Sequence, residues 1–141
     1  MIVVVDTSVF VSAFIGPGGA SRAVLRACLA GTLKPLMGTN LYLEYESLLS
    51  REQLFSRSPF STREREEVLN AFMRVSRWTR IYFLWRPNLP DEADNHLVEL
   101  AVAGTAEAIV TKNTGHFTRA ELPFPGLRIV SPAGLAKELS Q

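Results

Sequence analysis

Ile2-Val3-Val4-Val5-Asp6-Thr7-Ser8 is the stretch that decides the architecture. Four β-branched residues in a row, with no polar residue among them, read as a strand buried on both faces, the pattern of a parallel sheet. Asp6 ends that run abruptly. A carboxylate there is costly to bury unless it is solvated, hydrogen-bonded or metal-bound, which makes Asp6 a candidate ligand or catalytic group. The competing use is to cap a helix that begins near Ser8.

Outward from this strand, helical and extended patterns alternate. A short helical stretch starts at about Val9 and meets the turn Gly16-Pro17-Gly18-Gly19. Ser21 to Ala30 has helical spacing (Ala23, Val24, Ala27, Cys28) and stops at Gly31. Leu33 to Met37 reads as a second strand, and Thr39 or Asn40 caps a helix running to about Leu49. Residues 61–77 form a charged amphipathic helix with Val68, Leu69, Phe72 and Val75 on one side and Ser61 or Thr62 as N-cap. Thr79 to Leu84 reads as a strand, Asp91 to Val102 as a helix ended by Gly104, Ala108 to Thr111 and Leu127 to Val130 as strands, and Pro132 to Leu139 as a terminal helix. This order predicts one α/β domain over residues 1–141, with a parallel five-stranded sheet and helices on both faces. In such sheets a site lies beyond the carboxyl ends of the strands. Asp6 and Asn113 fall there.

The bulk numbers agree with a folded protein. A chain of 141 residues, 47% hydrophobic and 21% charged, buries enough surface to fold without a disulfide or a structural metal. Its single cysteine, Cys28, lies within an apolar helical pattern, so a buried thiol in a reducing cytoplasm is expected. No basic segment precedes Ile2, and the Gly16–Gly19 turn interrupts the uncharged stretch from Thr7 to Ser21. Neither an export signal nor a membrane span is expected.

The net charge of +1 does not by itself point to a polyanion. Its distribution is more informative. Residues 51–86 carry eight arginines against four glutamates, whereas residues 87–141 carry four basic and seven acidic residues. An arginine-rich middle beside an acidic end can hold a phosphate backbone against a metal site, or be no more than a solvated helical face.

Helical geometry selects the remaining candidates. Glu44 shares a stripe with Leu41, Tyr45 and Leu48, so it points toward the sheet and needs a partner, or snorkels at the helix edge; Glu46 faces elsewhere. Asp91 is placed to be an N-cap with Asp94 three residues on, while Asp94 shares the inward face of Leu97, Val98 and Ala101. Glu92, His96 and Glu99 take the outward side. Asn113 follows the buried run Ile109-Val110-Thr111; its amide oxygen can ligate Mg²⁺ or orient a metal-bound water, or it can be a turn residue. His116 reads as a loop histidine, with support of the site or contact to RNA as the other use. Neither histidine has the spacing of a zinc site. Carboxylates converging on a hard cation suit phosphodiester hydrolysis, because the ion neutralises developing charge and lowers the pKa of a bound water.

Taken in order, Val4-Val5-Asp6-Thr7-Ser8-Val9-Phe10-Val11-Ser12-Ala13, Leu43-Glu44-Tyr45-Glu46-Ser47-Leu48-Leu49, Asp91-Glu92-Ala93-Asp94-Asn95 and Ile109-Val110-Thr111-Lys112-Asn113 resemble the PIN-domain family. The spacing is most similar to its VapC-like branch, the toxins of toxin–antitoxin pairs. The resemblance implies a three-layer α/β/α domain, cleavage of single-stranded RNA with Mg²⁺ or Mn²⁺, a cognate antitoxin as partner, and a homodimer. It assigns Asp6, Glu44 and Asp94 to the acidic metal-binding and catalytic positions, with Ser8 as a polar neighbour of the first acid. Asn113 stands where many members have a fourth Asp, so the site has one negative charge fewer and a tightly held second ion is in question. Two other readings stand beside the ribonuclease: a PIN-like module that binds RNA or an antitoxin without cutting, and a haloacid-dehalogenase-like phosphatase. The phosphatase needs a second acid two residues after the first, where this chain has Ser8.

Overall fold

A computed structural model describes residues 1–16, 19–81, 92–117 and 126–141. Among the described residues, five strands, β1 (Ile2–Val5), β2 (Lys34–Met37), β3 (Arg77–Trp78), β4 (Ala108–Val110) and β5 (Arg128–Val130), form one parallel sheet in the order β3-β2-β1-β4-β5. Six α-helices accompany them: α1 (Thr7–Ile15), α2 (Gly19–Leu29), α3 (Thr39–Leu49), α4 (Thr62–Val75), α5 (Glu92–Ala103) and α6 (Pro132–Leu139). The arrangement is the expected three-layer α/β/α sandwich. β1 is the central strand, and Val3, Val4 and Val5 are buried, as their unbroken β-branched run requires.

The layers are held by side chains that follow the helical periodicities. α5 packs against β1, β2, β4 and α3 through Leu97, Val98, Leu100 and Ala101, all buried. Phe10 of α1 is enclosed by Phe14, Tyr45 of α3 and Phe72 of α4 at centroid distances of 5.1, 5.2 and 5.6 Å. Cys28 is buried as expected, and burial pushes its thiol pKa up to about 12, so it stays protonated and unreactive. Among the described residues no single helix is long and apolar enough to cross a membrane.

α4 carries a complete capping box. Ser61 Oγ accepts from the Glu64 amide at 3.1 Å, and Glu64 Oε1 accepts from the Ser61 amide at 2.8 Å. Ser61→Ala should therefore destabilise the protein by about 1 kcal/mol, a fall of roughly 3–5 °C in Tm, measurable by calorimetry. An unchanged Tm would show that the box is redundant.

The structure departs from the periodicity in several places, each for a tertiary reason. The strand expected at Thr79 to Leu84 is instead the pair Arg77–Trp78; Thr79 to Ile81 are not strand, and residues 82–84 lie outside the described residues. Its length is set by its neighbour. Met37 pairs with Trp78, Thr79 N–H reaches Met37 O at 2.8 Å, and there β2 ends. The N-cap of α3 is Gly38, not Thr39 or Asn40. A Cβ on Gly38 would sit 3.2 Å from Leu100 Cδ1, so a side chain here would crowd α5.

α5 does end before Gly104, but the left-handed residue is Thr105 (φ 58°), while a Cβ on Gly104 would meet Leu36 Cδ1 at 2.2 Å. Close approach to β2, not turn chemistry, explains that glycine. Glu99, read as outward-facing, and Arg65, one of the arginines of residues 51–86, are both buried. Glu99 is 5% exposed, because α5 is covered on more than the Asp94 face. Arg65 is 3% exposed, stacked 4.3 Å over Phe55 and bonded to Glu52 and Phe60 O. The N-cap role expected for Asp91 falls outside the described residues.

Candidate active site

The register of β1 against β4 builds the centre of the site. Val5 pairs with Val110, so the next residues of the two strands, Asp6 and Thr111, emerge side by side at the carboxyl edge of the sheet. Asp6 N–H donates to Val110 O at 2.9 Å, and Thr111 Oγ1 donates to Asp6 Oδ2 at 2.7 Å. Ser8 Oγ donates to the same Asp6 oxygen at 2.8 Å and itself accepts from the Lys112 amide at 3.1 Å. Asp6 is 7% exposed, and these donors hold its side chain in place at the start of α1, which begins at Thr7. Asp6 occupies the N-cap position of α1 but makes no side-chain cap bond. Its carboxylate faces the cleft instead.

Glu44 reaches the same place from α3. Thr7 Oγ1 lies 2.9 Å from Glu44 Oε1 and 3.5 Å from Asp6 Oδ1. A hydroxyl has one proton, and the shorter contact identifies Glu44 as its acceptor. Thr7 thus stands between the two carboxylates and sets their spacing. Below it, Tyr45 OH donates to Val5 O at 2.6 Å, which ties α3 to the end of β1. Burial, then the neighbouring Asp6 charge, raises the Tyr45 pKa well above its ordinary value, so the phenol remains a donor. Glu46 lies on the exposed side, bonded by Tyr42 OH at 2.9 Å.

Asp94, near the start of α5, is buried, with Oδ2 3.4 Å from His116 Nδ1. Asn113 is exposed at the rim, and its amide donates to Thr111 Oγ1 at 3.0 Å. Asp6, Glu44, Asp94 and Asn113 all line a single open cleft of about 1010 Å³, together with Thr7, Ser8, Lys112 and His116. The donors are hard oxygens, the set that suits Mg²⁺ or Mn²⁺.

Among the described residues, no three His, Cys, Asp or Glu side chains are close enough to enclose a metal ion by themselves. A Mg²⁺ site need not be an all-protein cage, because the ion usually keeps several waters and is held by one or two carboxylates plus substrate phosphate.

The arginines expected to position phosphate do not line this cleft among its described lining residues. Arg65 is buried, and Arg51 lines an adjoining groove that shares Glu44 and Leu48 with the cleft. Lys112 is the lysine in the lining, its Nζ 3.3 Å from Ser12 Oγ. Thr7 and Thr111, the hydroxyls that organise the acids, are not singled out by spacing. The signal available for them is a hydroxyl residue close behind each of two buried strand runs, Thr111 directly after Val110 and Thr7 one residue beyond Asp6.

Two comparisons bear on this arrangement. A chain in the crystal structure of VapBC2 from Rickettsia felis bound to a DNA fragment from their promoter superposes with a TM-score of 0.57 at 17% identity, covering 93% of this chain and 98% of that one. No curated protein sequence matches the chain significantly. The PIN domain matches residues 2–115, a span that contains both hydroxyl–carboxylate pairs, Asp94 and the Asn113 turn. By that match the chain belongs to the PIN domain family.

Proposed function

We propose that residues 1–141 form a single domain that acts in the cytoplasm as a metal-dependent endoribonuclease on single-stranded RNA, the toxin of a toxin–antitoxin pair. The observation that carries this reading is the placement of Asp6, Glu44, Asp94 and Asn113 along one cleft at the carboxyl ends of β1 and β4. Asp6, Glu44 and Asp94 would hold Mg²⁺ or Mn²⁺, directly or through water, with Asn113 contributing an uncharged oxygen. The bound ion would supply charge neutralisation at the scissile phosphate and a more acidic water. Thr111 and Ser8 keep Asp6 oriented, Thr7 fixes the distance to Glu44, and Lys112 offers a cation to the phosphate backbone. PIN domains are nucleases, and the fold shared with a VapBC2 chain supports a small antitoxin as partner. A homodimer belongs to the same reading. Of the aromatic residues available for its interface, Phe55, Phe60 and Phe72 pack into the core, whereas Trp78 is 54% exposed beside Tyr42.

Purified protein should cleave a single-stranded RNA when Mn²⁺ or Mg²⁺ is added, and should stop when EDTA removes the ion. Cleavage that persists in EDTA would reject the metal-dependent reading. Intact RNA binding with neither cleavage nor Mn²⁺ uptake by calorimetry would favour the non-cutting module, which Asn113 also suits.

A further inference from the structure

We infer that His116 is a positioning residue for Asp94, and that the segment from Thr111 to His116 fixes Asp6 and Asp94 relative to one another in the cleft. Thr111 bonds Asp6 Oδ2 through its side chain at 2.7 Å. The same hydroxyl accepts the Asn113 amide at 3.0 Å, which shapes the turn out of β4. A 3-10 turn, Thr114–His116, follows at once, closed by His116 N–H to Asn113 O at 3.0 Å. Phe117, buried immediately after it, anchors the far end of the turn in the core. The turn brings His116 Nδ1 to 3.4 Å from Asp94 Oδ2.

One short, pinned segment therefore contacts Asp6 at its start and Asp94 at its end. With Asn113 in place of a fourth carboxylate, Asp94 carries a larger share of the cleft's negative charge, and its orientation matters correspondingly more. The imidazole does what outer partners of ligating carboxylates do: it restricts the side chain to one rotamer and directs one oxygen inward. For neutral His116 this requires the proton on Nδ1.

The consequence for metal binding rests on the nuclease reading; the contact itself does not. Two measurements separate them. In ion-free protein at a pH where the ring is neutral, ¹⁵N–¹H multiple-bond NMR should show His116 as the Nδ1–H tautomer. Calorimetric titration with Mn²⁺ alone should then show affinity falling about 10- to 100-fold in His116→Ala. His116→Asn places an amide nitrogen near the Nδ1 position and should restore most of that loss. His116→Gln, which reaches toward the Nε2 position, should not.

A bare Nδ1 in the neutral ring, or Mn²⁺ affinity unchanged in His116→Ala, overturns the positioning role. Equal rescue by Asn and Gln also overturns it, since the contact would then lack direction. Native protein that shows the Nδ1–H tautomer and takes up no Mn²⁺ upholds the contact and counts instead against the nuclease proposal.

Discussion

Asp6→Asn is expected to lower the rate of RNA cleavage by about a thousandfold or more, roughly 4 kcal/mol of transition-state stabilisation, while the protein stays folded. The substitution is close to isosteric. Both hydroxyl donors, Thr111 and Ser8, converge on Asp6 Oδ2, and an Asn Oδ1 in that position can accept both. Stability should therefore change by no more than about 1 kcal/mol. What disappears is the negative charge at the central position of the cleft, the one carboxylate placed by the register of the two middle strands. Single-turnover cleavage with saturating Mn²⁺, read beside a thermal melt, isolates the chemical effect. Native-like cleavage by a folded Asp6→Asn protein would sink the nuclease assignment.

The largest effect on stability is expected at Phe10, where truncation to Ala should cost about 3–5 kcal/mol, or roughly 10–15 °C in Tm. The ring is wholly buried and makes edge contacts with Tyr45 and Phe72 as well as touching Phe14, so it joins α1 to α3 and α4. Little can move in to fill the space, because those neighbours are rigid rings. The same contacts support the site: α1 begins with Thr7 and Ser8, and Tyr45 holds Val5 O at the end of β1. Cleavage should thus weaken even at temperatures where the variant is folded. Urea denaturation gives the stability term directly. A loss below about 1.5 kcal/mol, the range of conservative swaps, would mean that the aromatic cluster repacks.

Much of the fold is legible in local pattern. The β-branched run before Asp6 is the central strand, Ser61, one of the two N-cap candidates, caps α4, and Leu97, Val98 and Ala101 face the core with Asp94. These features depend on a residue and its own neighbours within a turn or a strand, which is the range over which periodicity and capping chemistry operate. Asp6, Glu44, Asp94 and Asn113 are conspicuous for the same reason, as polar groups on faces that are otherwise apolar or at the ends of buried strands.

What lies opposite each face is a different matter, because it depends on register and layer packing between segments far apart in the chain. Only the pairing of Val5 with Val110 puts the Thr111 hydroxyl on Asp6, and only the approach of α3 to α1 puts Thr7 against Glu44. The two-residue length of β3 is imposed by where β2 ends, and the burial of Glu99 and Arg65 by elements that cover a second side of their helices. A helical repeat reports that a side chain shares a face with others. It carries no information about whether water, a hydroxyl or another helix meets that face.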